Sequence, residues 1–395
     1  MEELLPVCKG AEAVLNLQPS SSISIGYHPL FGPHDDLILF ELDEKLVPDV
    51  LHQRVTLRGQ PDEEAVLCTM SKTYAIKFVG TSNSVFLIPP SDNSVSCDKS
   101  LGCHEGNYKE EVVAAVLKVA PGTMELVEVA PKLDKLKSIL LESPYCSDEV
   151  EGMGDLEVME TTSRRLYTWD DLVDRVQASD DELRAGLKAI SAVEIDGCWR
   201  IVDDKYMDFI LWMLLNNSVA NGWSLNELIE EEVVNVLVSD GIPARLANHC
   251  LQVYGNKVVG AGRSLWRLDE RRVCIQFARQ ILREGKRKIE IFMEEWMKKI
   301  PLGMQASFDM LEGEVLTEKL GVETWVHAFS VSSLPSNPAE RFSMLFKERL
   351  KWEWKDLQPY IRDLKVPGLT SEGLLLKYTR RTQPTLDAEP VFSAR

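Results

Sequence analysis

Between residues 23 and 130 the apolar positions come in short runs, at 36–42, 54–59, 64–69, 73–79, 84–89, 111–119 and 123–129, with turn residues between them. Runs of this length and composition predict strands, and their number and spacing predict an all-β barrel or sandwich. Pro131 then introduces a helix over 132–142, with Leu133, Leu136, Ile139 and Leu140 on one face. From Tyr167 onward helices dominate. One is expected at 169–176, and Ser179 with Glu182 three residues on reads as a capping box leading into 185–190.

The pattern then recurs. Helix-capable stretches lead to paired apolar runs ending in a tryptophan, at Trp199, Trp266 and Trp325, about 60 to 67 residues apart. A further helix follows each one, at 208–217, 270–284 and 338–351. The first pair spans 193–202 and turns at Asp196-Gly197, a strong hairpin signal. The second copy reads as 223–238, 244–254 and a pair over 257–268. The third reads as 289–299, 304–312 and strands at 314–316 and 325–331, with 316–321 strand or loop. A partial fourth copy is expected at 354–363 and 370–378, followed by a frayed last dozen residues. Helix, helix and a two-stranded wing describe the winged-helix unit. The fold class is therefore α+β multidomain: a β-rich, barrel-like domain over 1–145, an acidic linker over 146–165, and a helical arm of three tandem winged-helix domains at 166–222, 223–288 and 289–395.

Length and composition fit this division. The 395 residues are 45% hydrophobic and 27% charged, with room for two to four cores. The acidic N-terminus lacks the pattern of a signal peptide, and no apolar run has the length of a membrane span. Eight cysteines without a CxxC pair argue against a disulfide framework or zinc ribbon. Cytoplasm or nucleus is the expected compartment.

The net charge of −18 is unevenly spread. Residues 1–165 hold 14 basic against 27 acidic side chains and 166–244 hold 5 against 16, whereas 245–299 hold 13 against 6 and 341–381 hold 10 against 5. Phosphate contacts need clustered cations, so a local basic module on an acidic chain is the place to look for nucleic-acid binding. Arg263, Arg267, Arg271 and Arg272 flank the second wing and open the next helix, and Lys286, Arg287 and Lys288 close that helix. Lys377, Arg380 and Arg381 extend the set toward the C-terminus. Such groups can reach phosphates without reading bases; the competing reading is a solvated helix face, with Arg271 and Arg272 paired to nearby carboxylates.

Catalysis finds no support. No glycine-rich stretch ends in GK[ST], and Gly260-Ala261-Gly262 lies between strand-like runs, where a wing turn is expected. Cys97, Cys103 and His104 match no zinc spacing. His34-Asp35-Asp36 reads as a solvated turn, and none of the six histidines sits in a recognisable nucleophile context. No cofactor is expected.

Several stretches resemble one family in the right order: Asp62-Glu63-Glu64-Ala65-Val66-Leu67-Cys68 with Lys72-Thr73-Tyr74, Thr81-Ser82-Asn83, Phe86-Leu87-Ile88-Pro89, Leu141-Glu142-Ser143-Pro144-Tyr145 and Gly197-Cys198-Trp199-Arg200-Ile201. Leu334-Pro335, Glu340-Arg341-Phe342, Leu345-Phe346 and Pro359-Tyr360-Ile361-Arg362-Asp363-Leu364 complete the set. Together they resemble the Dcc-type sister chromatid cohesion subunit of the alternative replication factor C clamp loader. The resemblance implies that partner chains complete the N-terminal barrel: the small Ctf subunit and the tail of the large AAA+ Ctf subunit. It further implies that the arm contacts the catalytic subunit of DNA polymerase epsilon and DNA, without sequence specificity. It implies a nuclear role in loading or unloading PCNA, with ATP hydrolysed by other subunits. The competing expectation is a winged-helix scaffold or transcription regulator acting through protein and DNA contacts.

Overall fold

The computed structural model describes residues 24–89, 113–147, 165–258, 263–383, 385 and 388–395. Cys97, Cys103, His104, the 260–262 turn and most of the acidic linker lie outside them. Contacts divide the chain into two bodies, one of residues 1–55 and 74–127, the other of residues 56–73 and 128–395.

In chain order the first elements are β1 (Ser24–Tyr27), β2 (Phe40–Glu41), α1 (Val47–His52), β3 (Thr56–Arg58), β4 (Val66–Cys68), β5 (Thr73–Leu87), β6 (Val113–Val116) and β7 (Lys118–Val129). In the first body β1 pairs in parallel with β6, Ile25 opposite Ala114, and β2 pairs in parallel with β7, Phe40 opposite Met124. On its other side β7 neighbours β5. The turn expected between 79 and 84 is absent, because β5 runs through Gly80-Thr81-Ser82-Asn83 as one strand. Pairing with β7, itself 12 residues long, overrides the local turn preference. Gly122 of β7 permits the close approach, since a Cβ there would stand 2.2 Å from the Val79 carbonyl oxygen. The 36–42 run shrinks to the two residues of β2; the loop before it is held by Lys118 Nζ, which donates to the carbonyls of His34 (2.7 Å) and Leu37 (2.9 Å). Among the described residues, the buried apolar side chains of this body are only Leu46, Ala114, Val116 and Ala120.

In the second body β3 and β4 form an antiparallel hairpin, Leu57 opposite Leu67. Next come α2 (Leu133–Leu141), α3 (Trp169–Arg175), α4 (Asp180–Ala189), β8 (Val193–Ile195) and β9 (Cys198–Arg200). The hairpin is fixed to α4 by Arg58, only 6% exposed, which donates to the Ala178 carbonyl and the Asp180 carboxylate. Thr73 Oγ1 donates to Glu182 Oε2 (2.6 Å). The capping box is present: Ser179 Oγ accepts from the Glu182 N–H, and Glu182 returns the bond to the Ser179 N–H.

From α2 onward one order of elements recurs: helix, short strand, helix, helix, strand, strand. In the first copy, α2–β9, a single bridge between Tyr167 and Trp199 takes the place of the first strand. The second is α5 (Asp204–Ala220), β10 (Leu228–Ile229), α6 (Glu230–Ser239), α7 (Ala244–Tyr254), β11 (Gly255–Val258) and β12 (Leu265–Leu268). The third is α8 (Glu270–Leu282), β13 (Arg287–Lys288), α9 (Ile289–Lys299), a 3-10 turn at Phe308–Leu311, β14 (Val315–Leu320) and β15 (Glu323–Ala328). The fourth is α10 (Pro338–Glu348), β16 (Lys351–Glu353), α11 (Trp354–Ile361), α12 (Ser371–Tyr378), β17 (Thr379–Thr382) and β18 (Val391–Ala394). In the last three copies the final strand lies in the middle of its sheet: β10-β12-β11, β13-β15-β14 and β16-β18-β17.

Three expectations are corrected or resolved here. The fourth copy is complete, and the supposedly frayed C-terminus supplies its central strand, with Phe392 buried between Trp352 and Arg381 in register. The segment open to strand or loop is strand as far as Leu320, since 315–320 pair along their whole length with β15, and the chain turns at Gly321. The helix expected at 304–312 is a single 3-10 turn.

Trp266 of the second copy, and Phe292, Trp296 and Val326 of the third, belong to one continuous apolar core. The first and fourth copies have cores of their own, and Leu316 of β14 reaches into the fourth. Polar ties cross the same joints. Asp208 of α5 accepts from Arg283 (2.8 Å) and from Gln276 (2.6 Å). Tyr360 Oη donates toward the Val315 and Phe329 carbonyls (2.9 and 3.0 Å). Asp134 of α2 accepts from the Ser336 N–H (2.8 Å) and hydroxyl (2.5 Å), and Lys137 donates to the Ser332 carbonyl, so the first copy also meets the segment before the fourth.

Because Phe292 is wholly buried in the shared core, Phe292→Ala should cost about 3–5 kcal/mol. Denaturant unfolding followed by hydrogen exchange should show the second and third copies losing protection together. A second expectation concerns His249 of α7, buried and bonded to the Ser191 backbone. Desolvation outweighs that bond and holds its imidazole below its ordinary value of 6.5. The unfolded chain therefore takes up this proton first, so the stabilisation is complete above the unfolded pKa and is lost as pH falls through the folded one. Thermal melts from pH 7.5 to 5 should show a smaller acid-side loss for His249→Gln than for the native chain.

Candidate nucleic-acid interface

The antiparallel pair β11–β12 alternates inward and outward groups: Trp266 and Leu268 are buried and Arg267 is exposed opposite Asn256. The Trp266 indole N–H donates to Glu230 Oε2 (2.6 Å), and Lys257 Nζ lies 3.6 Å from the same carboxylate and 5.8 Å from the ring centroid. Glu230, Glu231 and Glu232 occupy the first turn of α6, where the helix dipole favours negative charge. With Asn235, Asn248, Arg263 and Ser264 they line an open cleft of about 620 Å³. Arg263 thus stands at the rim of an acidic cleft, and Arg245 lies one turn from Asn248 on α7.

The other basic residues are more engaged than their sequence positions suggest. Arg271 Nε donates to the Met310 carbonyl (3.2 Å). Arg272 donates to the Val253 and Gly255 carbonyls (3.3 and 3.2 Å), capping the end of α7, and lies 3.8 Å from Asp269. Lys286 pairs with Glu318 (2.9 Å), Arg287 with Glu284, and Lys288 with Glu323 beside the Trp325 ring. These bonds draw the Glu318 and Glu323 carboxyls below their ordinary range. In the fourth copy Lys377 lies over the Tyr378 ring (5.2 Å), and Arg381 donates to Gln383 (2.9 Å). Of the thirteen basic residues in 245–299, eight lie within 4 Å of a carboxylate. Arg263, Arg267 and Arg380 remain exposed without a polar partner among the described residues. Arg245, at the start of α7, belongs with them; it stands apart from any run of charge in the sequence, so the charge pattern did not mark it.

No group of three or more His, Cys, Asp or Glu among the described residues is arranged to hold a metal ion, and no described helix is long and apolar enough to cross a membrane. Cys250 and Cys274 are buried, and desolvation raises both thiols, that of Cys274 to about 11. They serve packing rather than nucleophilic chemistry.

The described residues thus form an α+β protein in which one order of elements recurs. The family model described as "Sister chromatid cohesion protein Dcc1" matches residues 37–361, and the chain belongs to that family. Similar proteins include the sister chromatid cohesion protein DCC1 of Homo sapiens, 32% identical over 346 residues, covering 87% of this chain and 85% of the relative. The protein of the same name from Danio rerio is 32% identical over 355 residues, covering 87% and 86%. That of Saccharomyces cerevisiae is 23% identical over 384 residues, covering 91% and 97%.

Proposed function

We propose that this chain is a non-catalytic accessory subunit of an alternative replication factor C clamp loader. It acts in the nucleus in sister chromatid cohesion and in placing or removing PCNA. The observation that carries this reading is the surface of the first body. Tyr27 is 78% exposed, Leu30 67%, and Ile25, Ile38 and Phe78 57–58%, against four buried apolar side chains among the described residues of this body. So small a core beside so much exposed apolar surface is marginal alone. Strands donated by the small Ctf subunit and by the tail of the large AAA+ Ctf subunit would complete it as a barrel. A scaffold or transcription-regulator reading leaves that surface unexplained.

The repeated order of elements, with the last strand central in each sheet, supports reading the arm as tandem winged-helix units. The element order counts four of them, where the sequence pattern alone counts three and part of a fourth. We assign the acidic stretch 166–244 to protein contacts, with DNA polymerase epsilon as the partner, and the unpaired cations Arg245, Arg263, Arg267 and Arg380, all beyond it, to DNA phosphates.

Two experiments test these assignments. Leu30→Asp with Phe78→Asp, co-expressed with the two Ctf subunits, should abolish the three-chain complex while leaving the chain's own melting temperature unchanged; undiminished co-purification would refute the composite barrel. For DNA, Arg267→Glu with Arg380→Glu should lower the slope of log K against log salt by about 2. Lys286→Glu, whose lysine already serves Glu318, should leave it unaltered.

A further inference from the structure

The helix α5 is the longest described, and apolar side chains point both inward and outward from it. Ile210, Leu211, Leu214 and Leu215 are buried in the shared core. Outward it shows Phe209 at 45% exposure, Trp212 at 54% and Val219 at 80%, with Asn216 exposed between the last two. Positions 209, 212, 216 and 219 follow the 3-4-3 spacing of a helix–helix seam. The fold itself does not require this. The equivalent helix of the third copy turns Glu270, Arg271 and Arg272 to solvent, and that of the fourth exposes Glu340, Ser343, Lys347 and Glu348, with Met344 its one large apolar group outside.

The exposed rings are held in place. Tyr145, Tyr206, Phe209 and Trp212 form a ladder with successive centroids 6.3, 6.4 and 6.2 Å apart. Its inner end is anchored by the buried Arg200, whose guanidinium lies 5.3 Å from the Tyr145 centroid and donates to the Ser143 and Pro144 carbonyls (both 3.1 Å). A surface ordered in advance spends less entropy on binding.

Charge selects the occupant. Residues 203–240 hold eight carboxylates and one lysine, Lys205. Asp203 and Asp204 stand at the start of α5, Asp208 lies one turn before Trp212, and Asn217 donates to Asp240 (2.7 Å) near its end. Against these stands Arg283, paired with Asp208. The last turn of α5 carries no basic residue, so its carbonyl end adds partial negative charge beside Val219. A nucleic acid stacking on the rings would bring phosphates into this acidic field.

We propose that the outer face of α5 is a docking seam for an amphipathic helix of a partner protein, with apolar residues at 3-4-3 spacing flanked by Lys and Arg. From Phe209 to Val219 the seam runs about 15 Å, the length of some three helical turns. The proposal rests on reading the chain as a subunit of a complex and names the chemistry of a partner for its acidic stretch.

The test uses the full chain and fluorescent, helix-stapled 16-residue peptides with leucines at 3-4-3 spacing, flanked by Lys, by Glu, or scrambled. Anisotropy should show the lysine-flanked peptide binding at least tenfold tighter than the other two. Phe209→Ala with Trp212→Ala should lose that preference. Because the double variant also shortens the ladder, Val219→Lys serves as the second, at a site too exposed to affect packing; it should weaken the lysine-flanked peptide severalfold with unchanged melting. Equal affinity for all three peptides would overturn the proposal, as would retained binding by Val219→Lys. It would also be overturned if sedimentation shows a dimer that Val219→Lys dissociates, or if an oligonucleotide competes for the seam. Should co-purification with the two Ctf subunits persist while the peptides fail, the seam alone is refuted; loss of that co-purification refutes the clamp-loader reading instead.

Discussion

The apolar core that runs without a break from the second repeat into the third is the constraint on which the arm depends. A sheet of two or three very short strands gives its helices little cover, and the second and third copies supply the rest to each other through one core. Trp266 closes the second copy from its third strand, and Trp296, fully buried, donates its indole N–H to the Cys274 carbonyl (2.8 Å) and fixes α9 against α8. Tyr360 does the corresponding service between the third and fourth copies. The arm is therefore a row of coupled units rather than beads on a string.

Electrostatics follows the same economy. Most cations of the basic stretch find their carboxylates within the fold, several across the joints between elements, as Arg283 does with Asp208 and Arg279 with Glu314. Exposed pairs of this kind contribute little stability, but they remove charge from the surface and leave a few isolated arginines to act at long range. An acidic chain with a few unpaired cations is suited to weak, salt-sensitive contact with a polyanion rather than to indiscriminate adhesion.

Much of this was legible in the sequence where local chemistry decides the structure. The capping box at Ser179 and Glu182 is there, and the Asp196-Gly197 turn takes the positive φ values its residues predict, 50° and 79°. Helices 244–254 and 289–299 appear with the bounds their periodicity implied. What escaped depends on distant partners. The two-residue strands Leu228–Ile229 and Arg287–Lys288 are too short for any period and exist because β12 and β15 pair with them. Residues 391–394 read as a frayed end because their partners, β16 and β17, lie earlier in the chain. The charge map located the basic stretch but not its neutralisation, since Glu318 and Glu323 stand some 32–35 residues away from Lys286 and Lys288.

The bonds from Asp134 and Lys137 to residues 332–336 have a mechanical consequence. They join points about 200 residues apart in the chain through a few surface hydrogen bonds, while the joint between the second and third copies rests on a shared apolar core. A load drawing the first copy away from the fourth would meet this clasp first, and contacts worth about 1 kcal/mol each yield well before a packed core does. Under such a load this polar closure would part first, while the packed cores of the copies kept their contacts.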